Sequence, residues 1–121
     1  MAVLDKITRV YQQAKGGIKG YPYIDEDFLN EVIYEFSEFL ERCLIKPKFK
    51  AKTNERAQRA GIECVKAAID ALNEAKRRKG IYRKMACFDE AKHWIHKAGA
   101  FEGELGELHA ELRRRYREGW F

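Results

Sequence analysis

Along most of this chain apolar residues return every three or four positions, with polar residues between them. Val3, Leu4, Ile7, Val10, Tyr11 and Ala14 predict a first helix over residues 2–15. Gly16 and Gly17 end it, because glycine takes the left-handed helix-terminal conformation without steric cost. The stretch "GGIKGYPY" reads as a loop. Leu29, Ile33, Phe36, Leu40 and Leu44, flanked by Phe28, Val32 and Phe39, predict a second helix starting near Asp25. There Asp25, Glu26 and Asp27 favour the N-terminal dipole, and Pro47 stops the helix. "KPKFKAKTN" is the next loop, with Thr53 or Asn54 as the following N-cap.

The third predicted helix, 55–79, carries two apolar stripes. Ile62, Val65, Ile69 and Leu72 form one; Ala57, Gly61, Cys64, Ala68, Ala71 and Ala75 form a second, of small residues. Such a helix is either central in a bundle or shared between its own core and another subunit. Gly80 breaks it. The fourth helix, 81–98, places Ile81, Met85, Phe88, Ile95 and Ala98 on one side with Trp94 beside them, and Gly99 ends it. Leu105, Leu108, Leu112 and Tyr116 mark a fifth over 103–118. The fold class is therefore all-α, an antiparallel up-down bundle. Residues 1–121 form one domain, with 1–24 an additional N-terminal helix plus linker and 25–121 the four-helix core.

Composition narrows the setting. Cys43, Cys64 and Cys87 are odd in number, widely spaced and lie within predicted helices, so they read as reduced thiols of an intracellular, cytoplasmic protein. No apolar run is long enough to cross a membrane, so no membrane partner is expected. The net charge is +5 and the pI about 9.1, which suits an anionic partner.

The cations are segregated. Lys46, Lys48, Lys50, Lys52, Arg56 and Arg59 form one cluster. Lys76, Arg77, Arg78, Lys79, Arg83 and Lys84 form a second, and Arg113, Arg114, Arg115 and Arg117 a third. Acidic residues gather in helix two, from Asp25 to Glu41, and in helix five, from Glu102 to Glu111. Up-down topology puts the second and third clusters at one end of the bundle, with Lys15 and Lys19. Tyr21 and Tyr23 lie nearby, and Tyr116 or Trp120 would add stacking. Such a cap suits phosphate contacts and base stacking. A solvated cap is the plainer reading for both, since cations stabilise helix C-termini. The basic loop at 46–52 precedes a helix, where the dipole gives cations nothing.

Catalytic and cofactor chemistry find little footing. Glu90 and His93 make a single ExxH, where di-metal bundles use two such motifs and two further glutamates. His93 and His96 read as ordinary surface or core histidines. The one serine, Ser37, sits mid-helix without an evident base, and "GGIKG" does not follow a strand. No enzyme, no metal and no cofactor is expected.

"FKAKTNERAQRAGIECVKAAIDALNEAKRRKG", then "MACFDEAKHWIHKAGAF" and "ELHAELRRRYREGW", resemble the accessory variability determinant proteins of diversity-generating retroelements. They are also similar to the four-helix-bundle proteins encoded in ribosomal-RNA intervening sequences. The resemblance covers about the last two-thirds of the chain. Lys48–Arg59, Cys87–Ala98 and Gly119-Trp120 occupy the places of the family's basic stretch, middle helix and closing Gly-Trp pair. "IKPKFK" stands where the family has a phenylalanine-proline-arginine element. The resemblance implies a ring-like homo-oligomer, typically a pentamer, that binds nucleic acid and a reverse transcriptase without catalysis of its own. The expected function is thus nucleic-acid binding, RNA or DNA, through Lys46, Lys48, Lys50, Lys52, Arg56, Arg59, Arg77, Arg78, Arg83, Lys84, Arg113, Arg114 and Arg117. The alternative is a structural or protein-interaction subunit of a larger ribonucleoprotein or phage-related assembly.

Overall fold

Asp25 shows how local chemistry sets an element boundary. Its Oδ1 accepts the backbone N–H groups of Asp27 at 3.0 Å and Phe28 at 3.3 Å, capping two otherwise orphaned donors. The helix it starts runs Glu26–Ile45. In the computed structural model, residues 2–15, 24–45, 55–97, 101 and 103–119 are described. They form five helices: α1 (Ala2–Ala14), α2 (Glu26–Ile45), α3 (Glu55–Arg77), α4 (Ile81–Lys97) and α5 (Gly103–Arg117). The chain is all-α, and its helices pack as a bundle. The expected stops at Gly16, Gly17, Pro47 and Gly99 lie outside the described residues, as do the caps at Thr53 and Asn54. α3 stops at Arg77, two residues before the expected Lys79; Gly80 then leads into α4, its carbonyl accepting the Lys84 N–H at 3.1 Å and its φ of 94° one that glycine adopts without strain.

The N-terminal helix is part of the core. Val3, Leu4, Ile7, Val10 and Tyr11 are all buried. Lys6 Nζ lies 3.2 Å from Glu31 Oε1 and 2.5 Å from Glu35 Oε1, and Gln13 Oε1 accepts the Asp25 N–H at 3.2 Å. Later residues of α1 thus meet earlier residues of α2, so the two run antiparallel.

Much of both α3 stripes is covered within the chain, although Ile62 and Cys64 are only half-buried and the Ala57 side chain lies outside the described residues. Val65, Ala68, Ile69, Ala71, Leu72 and Ala75 are buried, and α3 packs on α2 on one side and most extensively on α4 on the other. These contacts fit the central position, the first of the two options that the stripes left open.

The buried stripe of α4 differs from the expected one. Lys84, Phe88, Ala91 and Ile95 are buried, while Ile81 and Met85 are only half-buried. The reason is polar. The Lys84 ammonium donates to the Ala75 carbonyl at 3.0 Å, one of the last carbonyls of α3 and without an intrahelical partner. A cation there also meets the negative end of the helix dipole.

Phe101 anchors the entry to α5. It is buried, its ring edge-on to His109 at 5.9 Å between centroids. Two glycines make room for it. A Cβ on Gly61 would stand 2.7 Å from Phe101 Cε1, and one on Gly106 would stand 2.1 Å from the Phe101 carbonyl oxygen.

Candidate nucleic-acid interface

The structure divides the predicted basic residues by what they touch. Lys46, Lys48, Lys50 and Lys52 lie outside the described residues. Arg56 and Arg59, in the first turns of α3, are exposed and have no ion-pair partner among the described residues.

The second cluster is partly engaged. Glu74 holds both Arg77 and Arg78, the latter with Nε at 2.8 Å, and this pairing, Arg77 foremost, keeps its carboxyl below the usual range. Lys76 Nζ donates to Ser37 Oγ at 3.0 Å and Asn73 Oδ1 at 3.1 Å, and lies 4.6 Å from the Tyr34 ring centroid. Lys84 is a correction to the expected set: buried and bonded to Ala75, it presents no charge to solvent. Lys79 and Arg83 are exposed, and neither is in an ion pair among the described residues. Between them in the chain stands Tyr82, whose side chain is 91% exposed.

The arginine run of α5 divides more sharply. Arg114 is gripped by Glu111 at 2.6 Å and Glu118 at 3.0 Å. Arg115 reaches across to α1, where Nη2 lies 3.1 Å from Asp5 Oδ1 and Nη1 donates to the buried Thr8 hydroxyl. Arg113 and Arg117, four residues apart on one helical face, remain exposed and outside any ion pair among the described residues. Tyr116, 60% exposed, stands between these alternatives.

The expected union of the second and third clusters into one cap does not occur. The Tyr116 ring lies 5.6 Å from that of His96, near the C-terminal end of α4. Arg83 is at the other end, thirteen residues back or about 20 Å along the helix. The up-down count assumed that α5 runs alongside the whole of α4, whereas α5 meets its second half, from Asp89 to His96. One member of the cap is placed as expected: Lys15 donates to the Gly119 carbonyl at 3.0 Å, at the C-terminal end of α5.

Between α4 and α5 lies an open groove of about 640 Å³, lined by Tyr11, Asp89, Lys92, His93, His96, Leu112 and Tyr116. Tyr11 donates its hydroxyl to Asp89 Oδ1, and Lys92 Nζ sits 4.0 Å from the Tyr11 ring centroid. Burial, then the Asp89 charge, pushes the Tyr11 hydroxyl far above its ordinary value; burial pulls Lys92 down. His96 is lowered by burial, then by Arg113. Beneath it His109 is buried, with Nε2 3.3 Å from the His96 carbonyl, so Nε2 carries the proton. Burial lowers His109 too.

No family model, curated protein or solved structure matches the chain.

A second groove lies on the other flank of α5. It measures about 630 Å³ and is lined by Val3, Phe39 and Arg42 with Glu35, Glu38, Glu104 and Glu107. The two acidic segments of the sequence therefore meet across one cleft. Among the described residues no group of three His, Cys, Asp or Glu side chains gathers to hold a metal, and no helix is long and apolar enough to cross a membrane. Cys43 is buried, Cys64 and Cys87 are half-buried, and none is in a disulfide.

Sequence reading overlooked Tyr82, the bond from Tyr11 to Asp89 and the structural role of Arg115. Tyr82 had a signal, since it follows the helix break at Gly80 and lies off the apolar stripe. The other two depend on contacts more than seventy residues apart, which no local pattern records.

Proposed function

We propose that this chain is a non-enzymatic helical bundle that binds nucleic acid electrostatically. The observation that carries the reading is the division of the arginine run. Arg114 and Arg115 are tied to carboxylates, while Arg113 and Arg117 face outward beside an exposed tyrosine and a groove of aromatic and basic side chains. A run placed only for helix solubility has no need to spare the two residues that share a face. Guanidinium groups suit phosphate oxygens through their forked donors. Lys79 and Arg83, with Arg56 and Arg59, supply further exposed cations outside any ion pair among the described residues.

The resemblance to retroelement accessory proteins extends this reading to a reverse transcriptase partner, a homo-oligomer and a four-helix antiparallel core. The acidic cleft favours the alternative of a protein-interaction subunit, because its four glutamates suit a basic segment of a partner.

Titrating nonspecific RNA and DNA against salt tests the reading. Log affinity falls with log salt by about 0.7 to 0.9 per phosphate met. The double substitution Arg113→Glu/Arg117→Glu flattens that slope by roughly 1.4 to 1.8 if each arginine meets one phosphate. Undetectable binding at about 50 mM salt defeats the reading and promotes the protein-interaction alternative.

A further inference from the structure

We propose that the nucleic acid is single-stranded and lies along the exposed face of α4, stacking one base on Tyr116 at one end and another on Tyr82 at the other. This rests on the nucleic-acid reading above and deepens it. Tyr82, Ala86, Asp89, His93 and His96 are all exposed, and their spacing of four, three, four and three puts them on one side of the helix. That side joins the two cation groups that the fold holds apart. Tyr116 packs on His96 at one end; Tyr82 stands between Lys79 and Arg83 at the other.

The chemistry along the track favours unpaired bases. Both tyrosines offer exposed rings, and an aromatic face flanked by cations is the element that sequence-tolerant single-strand binders use. The groove at Tyr116 is an open slot with an apolar floor at Leu112 and polar groups at Asp89, His93 and His96. A base can enter only if its edge is not already paired, and drawing one out of a duplex costs unstacking. Ala86 leaves the middle of the track low. Asp89 is the one acidic group on this line, and it is engaged by the Tyr11 hydroxyl and lies close to Lys92. Glu90, also exposed and three residues before His93, is a second carboxylate that borders the track on the Arg83 side. The fourteen steps from Tyr82 to His96 span about 21 Å, room for roughly six stacked nucleotides at about 3.4 Å each.

The test uses the full chain and labelled oligothymidylate and oligouridylate. Each is taken at about ten nucleotides and at about three, beside a duplex as long as the longer strand, all at about 50 mM salt. The tighter of the two homopolymers names the sugar. The ten-mers bind more tightly than the duplex. Tyr116→Ala and Tyr82→Ala each weaken them by about 5- to 100-fold. Phenylalanine at either position preserves affinity and leucine does not, which separates stacking from bulk. Tyr82→Ala acts more on the ten-mer than on the trimer, since the trimer reaches one platform only. Both rings are exposed, so helicity stays at the wild-type level. Equal or tighter duplex binding, or alanine variants that bind ten-mers like wild type, overturns the single-strand track while salt-dependent binding keeps the broader reading. Absence of binding to every probe removes both.

Discussion

The two grooves that flank α5 are equal in size and opposite in chemistry. The one against α4 is lined by four aromatic rings and one lysine, with a single carboxylate already engaged. The one against α1 and α2 holds four glutamates and one arginine. One fifteen-residue helix supplies a wall to both. Its Glu104 and Glu107 look one way; Arg113 and Tyr116, more than a turn further on, look the other. A small basic protein can therefore be sharply one-sided without two domains, and its net charge says little about which face an anion meets.

That one-sidedness depends on α5 being held at both ends. Phe101 holds the start, filling the space that Gly61 and Gly106 leave. Phe101→Ala removes a buried ring and is expected to cost about 3–5 kcal/mol, read as a lower urea midpoint with an unchanged slope. Both grooves lose a wall together, so nucleic-acid affinity falls with stability. A variant within about 1 kcal/mol of wild type would mean that α5 is positioned by something other than Phe101.

The far end is held by Arg115, and here the comparison can be sharpened within one arginine run. Arg115→Met keeps the aliphatic stem and removes the donors to Thr8 and Asp5. Charged hydrogen bonds contribute about 1.5–3 kcal/mol when buried, but Asp5 is mostly exposed, so about 1–2 kcal/mol is expected from thermal unfolding. The salt slope for nucleic acid stays as in wild type, in contrast to Arg113→Glu/Arg117→Glu. A flattened slope for Arg115→Met would show that the run acts as one undivided charge and that its division has no functional meaning.

How much of this was legible beforehand differs between fold and site. Helix positions followed from periodicity because most core residues, such as Leu29, Ile33, Phe36 and Leu40, repeat at helical spacing on one element. Phe101 did not, since it sits outside any periodic run and its importance lies in glycines forty residues before it and five after. Lys84 misled for the same reason: its charge is matched by a carbonyl nine residues earlier, at the end of another helix. For the site, the clusters themselves were visible, but their distribution over the surface was not. α5 meets α4 around His96, near its C-terminal end, which leaves Arg83 far from Tyr116, and where two helices touch is set by side-chain packing that sequence order does not encode.

The smallest expected effect tests the acidic side. Glu38 of α2 and Glu107 of α5 both line the cleft and are both exposed. Replacing both by glutamine removes two negative charges without changing side-chain length. If the strand stays on the α4 side, the two charges act on it only through solvent, across the width of the bundle. The screening length is about 10 Å at 0.1 M salt, comparable to one helix diameter, so their repulsion is already weak there. Affinity for a ten-mer should then rise by no more than about two- to threefold at low salt, a few tenths of a kcal/mol, and the gain should vanish near 1 M, where screening shortens to about 3 Å. A rise of tenfold or more would require phosphates within contact distance of the glutamates. The strand would then wrap α5 and use both grooves, and the contrast between them would be one of strength and not of sides.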